Sequence, residues 1–177
     1  MSNVCQECGD PTNLLRSHAR FCSPRCRVRH HRRTQLPKPL TDRARWVRRN
    51  AAKVPLDVRT GRFASVTDPA TWCSYEQARA SAAGVGLGFV LTDEDDISCV
   101  DLDDVIDSAG RPVPGVAEVV AALADVFYME LSPSRRGLHI WHRGPAGPGA
   151  RGVEHGIKVE RYSQGRYISI TGWPVKI

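Results

Sequence analysis

The chain has 177 residues, 41% of them hydrophobic and 25% charged, with a formal net charge of +6. That length suits one ordinary domain plus a small appendage. No apolar run approaches the roughly 18 residues of a membrane-spanning helix, and the opening MSNVCQECGD lacks the apolar core of a signal peptide, so a soluble, cytoplasmic protein with no membrane partner is expected.

Charge is distributed unevenly along the chain. Residues 1–53 carry 13 Lys/Arg against 3 Asp/Glu, a net of +10, and residues 54–177 carry 12 against 16, a net of −4. A basic head on an acidic body suggests a polyanion-binding appendage on a domain with carboxylate chemistry of its own. The plainer alternative is a solvated basic tail.

The first element is set by cysteines. Cys5-x-x-Cys8 is followed, after thirteen residues, by Cys22-x-x-x-Cys26. Such spacing points to one tetrahedral structural zinc site rather than to disulfides or free thiols. Ser23 can cap a helix and Pro24 fits its first turn, which puts Cys22 just before the helix and Cys26 inside it. A segment this short and polar has little core, so zinc binding would supply its folding free energy. Four cysteines complete the site, leaving His18, His30 and His31 as surface residues. The helix continues through RVRHHRRTQ, with Arg25, Arg27, Arg29, Arg32 and Arg33 spread around it, a pattern suited to contacting phosphates without reading bases. These observations predict a zinc module over 1–35, a linker over 36–44 (LPKPL carries two prolines) and a main domain over 45–177, opening on a basic helical pattern in RARWVRRNAAK, 43–53.

In the main domain, CSYEQARASAAG (73–84) reads as a helix with a Ser74/Gln77 capping box and Gly84 as its stop. VGLGFVLT (85–92) and ISCVDLDDV (97–105) read as a hairpin around DEDD. PGVAEVVAALADV (114–126) reads as an amphipathic helix. FYMEL (127–131) and GLHIWHR (137–143) read as strands around SPSRR, RGPAGPGARG (143–152) as a flexible loop, and GIKVERYS (156–163) with RYISITG (166–172) as another hairpin. The order predicts an α+β fold with a mainly antiparallel sheet, helices on one face and the other face free.

Strand parity then gathers the chemistry. Val100 and Leu102 point to the core while Asp101 and Asp103 share the opposite face. The same parity separates Glu160 and Lys158 from Val159, and sets His139 beside Trp141 and away from Leu138 and Ile140. Three strands can thus offer Asp101, Asp103, Glu160 and His139 to one face. Carboxylates so placed suit magnesium or manganese with a substrate phosphate. The loop SPSRRGLH adds hydroxyls, the Gly137 amide, Arg135 and Arg136, all suited to a triphosphate, with Lys158 and Arg166 as further phosphate candidates. A polar strand end is the bland alternative for the aspartates. An EF-hand is excluded, because DEDDISCVDLDD lacks the central glycine and final glutamate.

DLDD, SPSRRGLHI and IKVERYSQGRYISITG, in that order, resemble the archaeo-eukaryotic primase superfamily, and most of all the bifunctional primase–polymerase domains of phages and mobile elements. The resemblance covers roughly 45–174. It implies an RRM-like sheet with flanking helices. It also implies Asp101, Asp103 and Glu160 as ligands of the catalytic metals, and Ser134 and His139 as contacts to the incoming nucleotide's phosphates, with Gly137, Lys158 and Arg166 nearby. The cysteine segment resembles short zinc fingers of the CxxCG…FCSxxCR kind.

The resulting expectation is a metal-dependent nucleotidyltransferase of phage or mobile-element DNA replication. Its substrates would be nucleoside triphosphates and single-stranded or primed DNA, with the basic zinc module on the template. No P-loop motif occurs, so a helicase would be a separate partner. Two rivals use the same residues: a non-catalytic zinc-dependent DNA-binding protein on a primase-like scaffold, and a metal-dependent nuclease.

Overall fold

The structure, a computed structural model, describes residues 4–12 and 19–176, with the side chains of 30–34 outside that description. The chain divides into two compact units, Met1–Gln35 and Leu36–Ile177. The second unit is α+β. Its strands are antiparallel throughout and fall into two sheets. The first sheet has the order β2-β1-β3-β9, from β1 (Trp46–Arg49), β2 (Pro55–Leu56), β3 (Gly86–Leu91) and β9 (Arg166–Ile170). The second has the order β5-β6-β4-β8-β7, from β4 (Ile97–Leu102), β5 (Val126–Leu131), β6 (Leu138–Arg143), β7 (Ala150–Glu154) and β8 (Ile157–Tyr162).

Side-chain alternation explains why two sheets form. In β3, Leu87, Phe89 and Leu91 face one way and Val90 the other, and all but Leu87 are fully buried. A strand apolar on both faces needs cover on both. Phe89 and Leu91 join Trp46, Ile168 and Ile170 of their own sheet and Ile97, Cys99, Trp141 and Tyr162 of the other, making a core between the sheets. Phe89 stands edge-on to Trp46 (5.4 Å between centroids) and to Trp141 (5.8 Å), contacts that each add about 0.5–1.5 kcal/mol beyond area burial. On the far side of the second sheet, Val100, Leu102, Leu138, Ile140 and Val159 pack with Val116 and Val119 of a short helix over Val116–Ala121. On the far side of the first, Val47 and Val90 pack with Ala64 and Trp72.

Several expectations require correction. Segment 43–53 is not helical. Trp46 and Val47 pack into cores on opposite faces, the alternation of a strand, and Trp46 pairs with Cys73 through both backbone groups (3.0 and 2.9 Å). Its arginines are held by the fold: buried Arg45 pairs with Asp95 and stacks 4.9 Å over the Phe89 ring. Segment 36–44, read as a linker, carries a one-turn helix (Lys38–Thr41), and its Leu40 is fully buried in the inter-sheet core. Neither expected hairpin exists. The chain changes sheet between β3 and β4, and again between β8 and β9. The last three residues of the loop expected over 143–152 belong to strand β7.

The helix after Ser74 has its capping box, but spans only Tyr75–Ala80. The carbonyls of Ala83 and Gly84 accept from the Arg48 guanidinium (2.6 and 3.4 Å) instead of extending the helix. Finally, residues 171–175 run along the free edge of β5, where Leu131 N donates to Trp173 O (2.9 Å) and Val175 N to Met129 O (3.0 Å). Among the described residues, no helix is long and apolar enough to cross a membrane.

Candidate active site

The second sheet brings one row of side chains into register across all five strands. Glu130 of β5 lies opposite His139 of β6, His139 opposite Asp101 of β4, Asp101 opposite Glu160 of β8, and Glu160 opposite Arg151 of β7. Directly paired residues in an antiparallel sheet have Cα atoms about 4.5–5.5 Å apart. The row reads acid, imidazole, acid, acid, base. Its one junction of like charges is Asp101 against Glu160, an arrangement that is destabilising unless a cation intervenes.

The face carrying this row is not free along its whole length. Cys99, two residues before Asp101, is fully buried under the first sheet, as is Trp141, two residues after His139. The sheets part at the Asp101 end. There a cleft of about 410 Å³ opens, lined by Asp101 and His139 from one sheet, Arg166, Tyr167 and Ser169 from the other, and Lys53 from the β1–β2 turn. Gly88 makes room for the Tyr167 ring, since a Cβ there would lie 2.5 Å from it.

Asp101 is 22% exposed in its side chain, and its buried Oδ1 has no hydrogen-bond partner. The nearest cationic candidate is His139 Nε2 at 3.8 Å, beyond hydrogen-bond reach. Burial raises the Asp101 carboxyl above the usual carboxylate range; His139 and Lys53 oppose that shift, while Asp103 and Glu160 add to it. An orphaned carboxylate oxygen beside a second carboxylate is the donor set expected of a hard-cation site.

The other sequence-predicted residues are placed less uniformly. Asp103 is exposed, one residue past the end of β4. Glu160 is engaged by Arg151 Nε at 3.1 Å and by the Tyr162 hydroxyl. Among the described residues, Asp101, Asp103 and Glu160 do not converge as closely as the four cysteines below. Ser134 is exposed and accepts from Arg136 N at 3.2 Å, and Arg136 pairs with Asp104 at 2.6 Å. Gly137 is required where it stands, because a Cβ would meet Leu102 O at 2.5 Å. Arg166 lines the cleft with its guanidinium 4.2 Å over the Tyr162 ring. Lys158 is exposed on β8 and does not line the cleft.

In the first unit, the Sγ atoms of Cys5, Cys8, Cys22 and Cys26 all lie within 4.8 Å of one another, a set that can hold one metal ion. A tight turn with Gly9 N donating to Cys5 O (2.9 Å) aims the first pair. Ser23 Oγ accepts from Cys26 N (3.1 Å) at the start of the helix Pro24–Thr34, which aims the second. Arg25, Arg27 and Arg29 are exposed on that helix. His18 and the side chains of His30, His31, Arg32 and Arg33 lie outside the described residues.

Comparison with curated proteins finds a relative described as "DNA Primase-polymerase", from Nitratiruptor phage NrS-1, 34% identical over 145 residues. Over that stretch the chain is similar to a phage primase–polymerase. The match takes in 76% of this chain and 20% of the phage protein, so the chain spans about a fifth of that relative's length. No family model matches the chain.

Sequence reasoning passed over three residues beside the row. Lys53 carries no motif and reaches the cleft because its backbone adopts φ 59°, with its carbonyl accepting from the Tyr167 hydroxyl. Arg151 sat in a segment read as loop. Glu130, in FYMEL, had a visible signal: a lone acid in a strand whose neighbours are apolar.

Proposed function

We propose that the chain is the nucleotidyl-transfer unit of a phage-type primase–polymerase. Its reaction would be attack of a 3′-hydroxyl on the α-phosphorus of a bound nucleoside triphosphate, extending a nucleic-acid strand and releasing pyrophosphate. The observation that carries this reading is Asp101, paired in register with Glu160, in the wall of a cleft it shares with Lys53, Arg166 and His139. Asp101, Asp103 and Glu160 would hold magnesium or manganese, which supplies Lewis-acid stabilisation of the charge developing on phosphate oxygens. The orphaned Oδ1 of Asp101 fits that role, and Glu160 would have to exchange its contacts to Arg151 and Tyr162 for the cation.

The chain's own side chains would do the rest. Lys53 and Arg166 offer positive groups to a triphosphate in the cleft, and His139 turns a ring nitrogen toward it. Ser134, Arg136 and the Gly137 turn flank the His139 strand, and Lys158 lies further out on β8. The zinc module, with Cys5, Cys8, Cys22 and Cys26 on a structural zinc, would present Arg25, Arg27, Arg29, Arg32 and Arg33 to the template's phosphates. Residues 1–35 and 45–177 would thus divide binding from chemistry in an infected cell's cytoplasm, with any helicase supplied separately.

The engagement of Glu160 by Arg151 and Tyr162 favours a second reading: a zinc-dependent DNA-binding protein that keeps the scaffold without turnover. One assay separates them. Purified chain is given a labelled nucleotide, manganese or magnesium, and primed or unprimed single-stranded DNA. Extension that is lost in Asp101→Ala and in Asp103→Ala supports transfer. Salt-sensitive binding with no product from any template supports the second reading, and shortened template identifies a nuclease.

A further inference from the structure

We propose that Glu130 is the positioning residue of His139, fixing the imidazole proton on Nδ1 and turning Nε2 toward the cleft. The consequence for catalysis rests on the transfer reading above; the positioning itself does not.

Glu130 is fully buried, which for a carboxylate costs several kcal/mol unless hydrogen bonds compensate. Its two oxygens are used differently. Oε2 accepts from Thr171 N (3.1 Å), Gly172 N (2.8 Å) and the Tyr128 hydroxyl (3.2 Å), and lies 3.0 Å from the Thr171 hydroxyl. That hydroxyl also reaches Leu131 O at 2.8 Å, so its single hydrogen has an alternative acceptor. Burial, reinforced by Glu130, pushes the Tyr128 phenol up, which keeps it a donor. Oε1 is left for His139 Nδ1, at 3.2 Å. An ionised carboxylate has no hydrogen to give, so the ring donates. The proton therefore sits on Nδ1, and Nε2 faces Asp101.

Tethering the C-terminal segment does not require this carboxylate. Residues 171–175 are already paired to β5 through backbone bonds on both sides of Glu130. An apolar side chain would fill the position without the burial penalty, but could not set the imidazole.

The two backbone N–H groups on Oε2 make the proposal sharp. In Glu130→Gln they demand an oxygen, so the amide NH2 must face His139. Nδ1 then has to accept, and the ring proton moves to Nε2. An isosteric change should therefore reverse the tautomer, which loss of packing alone would not do.

The test is long-range ¹⁵N–¹H NMR on the full chain labelled at histidine, at a pH where the ring is neutral. His139 is assigned by the signals missing from His139→Asn. Wild type should carry the proton on Nδ1, and Glu130→Gln on Nε2. Incorporation by Glu130→Gln should fall roughly 10- to 100-fold, the usual range for loss of an orienting partner. Thr171→Val keeps the backbone donors and the carboxylate, so it should keep the tautomer and near-wild-type incorporation even where it lowers stability. The proposal is overturned by a wild-type His139 protonated on Nε2, by an unchanged tautomer in Glu130→Gln, or by activity losses that track stability equally in both variants. A wild-type chain that incorporates nothing while the tautomer reverses would sink the transfer reading and leave the positioning intact.

Discussion

Among the described residues of Met1–Gln35, the buried side chains are Cys5, Thr12 and Cys26. In Leu36–Ile177, two apolar clusters enclose Trp46, Trp72, Phe89 and Trp141, and a third gathers aliphatic side chains such as Val100, Leu102 and Ile140. The described residues of the first unit bury almost nothing apolar, so their shape depends on what the four thiols hold. The second spends its hydrophobic residues on both faces of its strands, and can therefore tolerate an unpaired carboxylate where the sheets part. The lesson is that the cysteine cluster and the acidic row sit on scaffolds with different vulnerabilities, one to chelation and the other to packing.

The harshest way to break this contrast is to strip the zinc proposed for the four thiols. Structural zinc contributes an apparent ~10–16 kcal/mol in small cysteine modules. Chelation, or Cys5→Ser, should erase the dispersed amide NMR signals of the first unit while the thermal transition of the second stays in place. Simultaneous collapse of both would mean the units are not energetically separate.

Within the second unit, Asp101→Asn should abolish incorporation and yet raise the melting midpoint at neutral pH. The sign follows from burial, which raises the Asp101 carboxyl in the folded state. Between its unfolded value, about 3.9, and its raised folded value, the native protein binds the extra proton. Stability from this group is thus highest at low pH and declines as pH rises through that window. The variant should lose that slope, read by melting curves across pH; an unaltered slope would show that Oδ1 is satisfied in solution.

Gly137→Ala tests packing at the turn before His139. With a Cβ forced to 2.5 Å from Leu102 O, the expected cost is about 1–3 kcal/mol, measured by urea denaturation, while zinc content stays unchanged. The mildest effects belong to the exposed arginines. Arg25→Ala, Arg27→Ala or Arg29→Ala should each weaken DNA binding without altering sequence preference. Each should also lower the slope of log affinity against log salt by about 0.7–0.9, the value for one phosphate contact.

Parity made much of the site readable in advance. Asp101, His139 and Glu160 alternate with Val100, Leu138, Ile140 and Val159, all of which are buried on the opposite face. The cysteine cluster was legible because its four thiols lie within 22 residues, Cys5 to Cys26. Sheet membership was not. DEDD and SQG are short enough for hairpin turns, and nothing local says that the chain crosses between layers there. The available clue was that Cys99-Val100 and FVL are apolar at successive positions, which a strand with one solvated face would not be. The arginines of RARWVRR concealed a strand because composition outweighed the alternation of Trp46 and Val47. Lys53 and Arg151 reach the row and cleft only through tertiary placement.

The segment 171–175 shields the outer edge of β5 and gives Glu130 two of its amide donors. Removing it would bare a row of unmatched peptide groups beside Met129 and Leu131, the kind of border along which chains zip together. A truncated protein should therefore lose the orientation of its imidazole and begin to self-associate at the same time, and light scattering would register the second loss as readily as an activity assay the first.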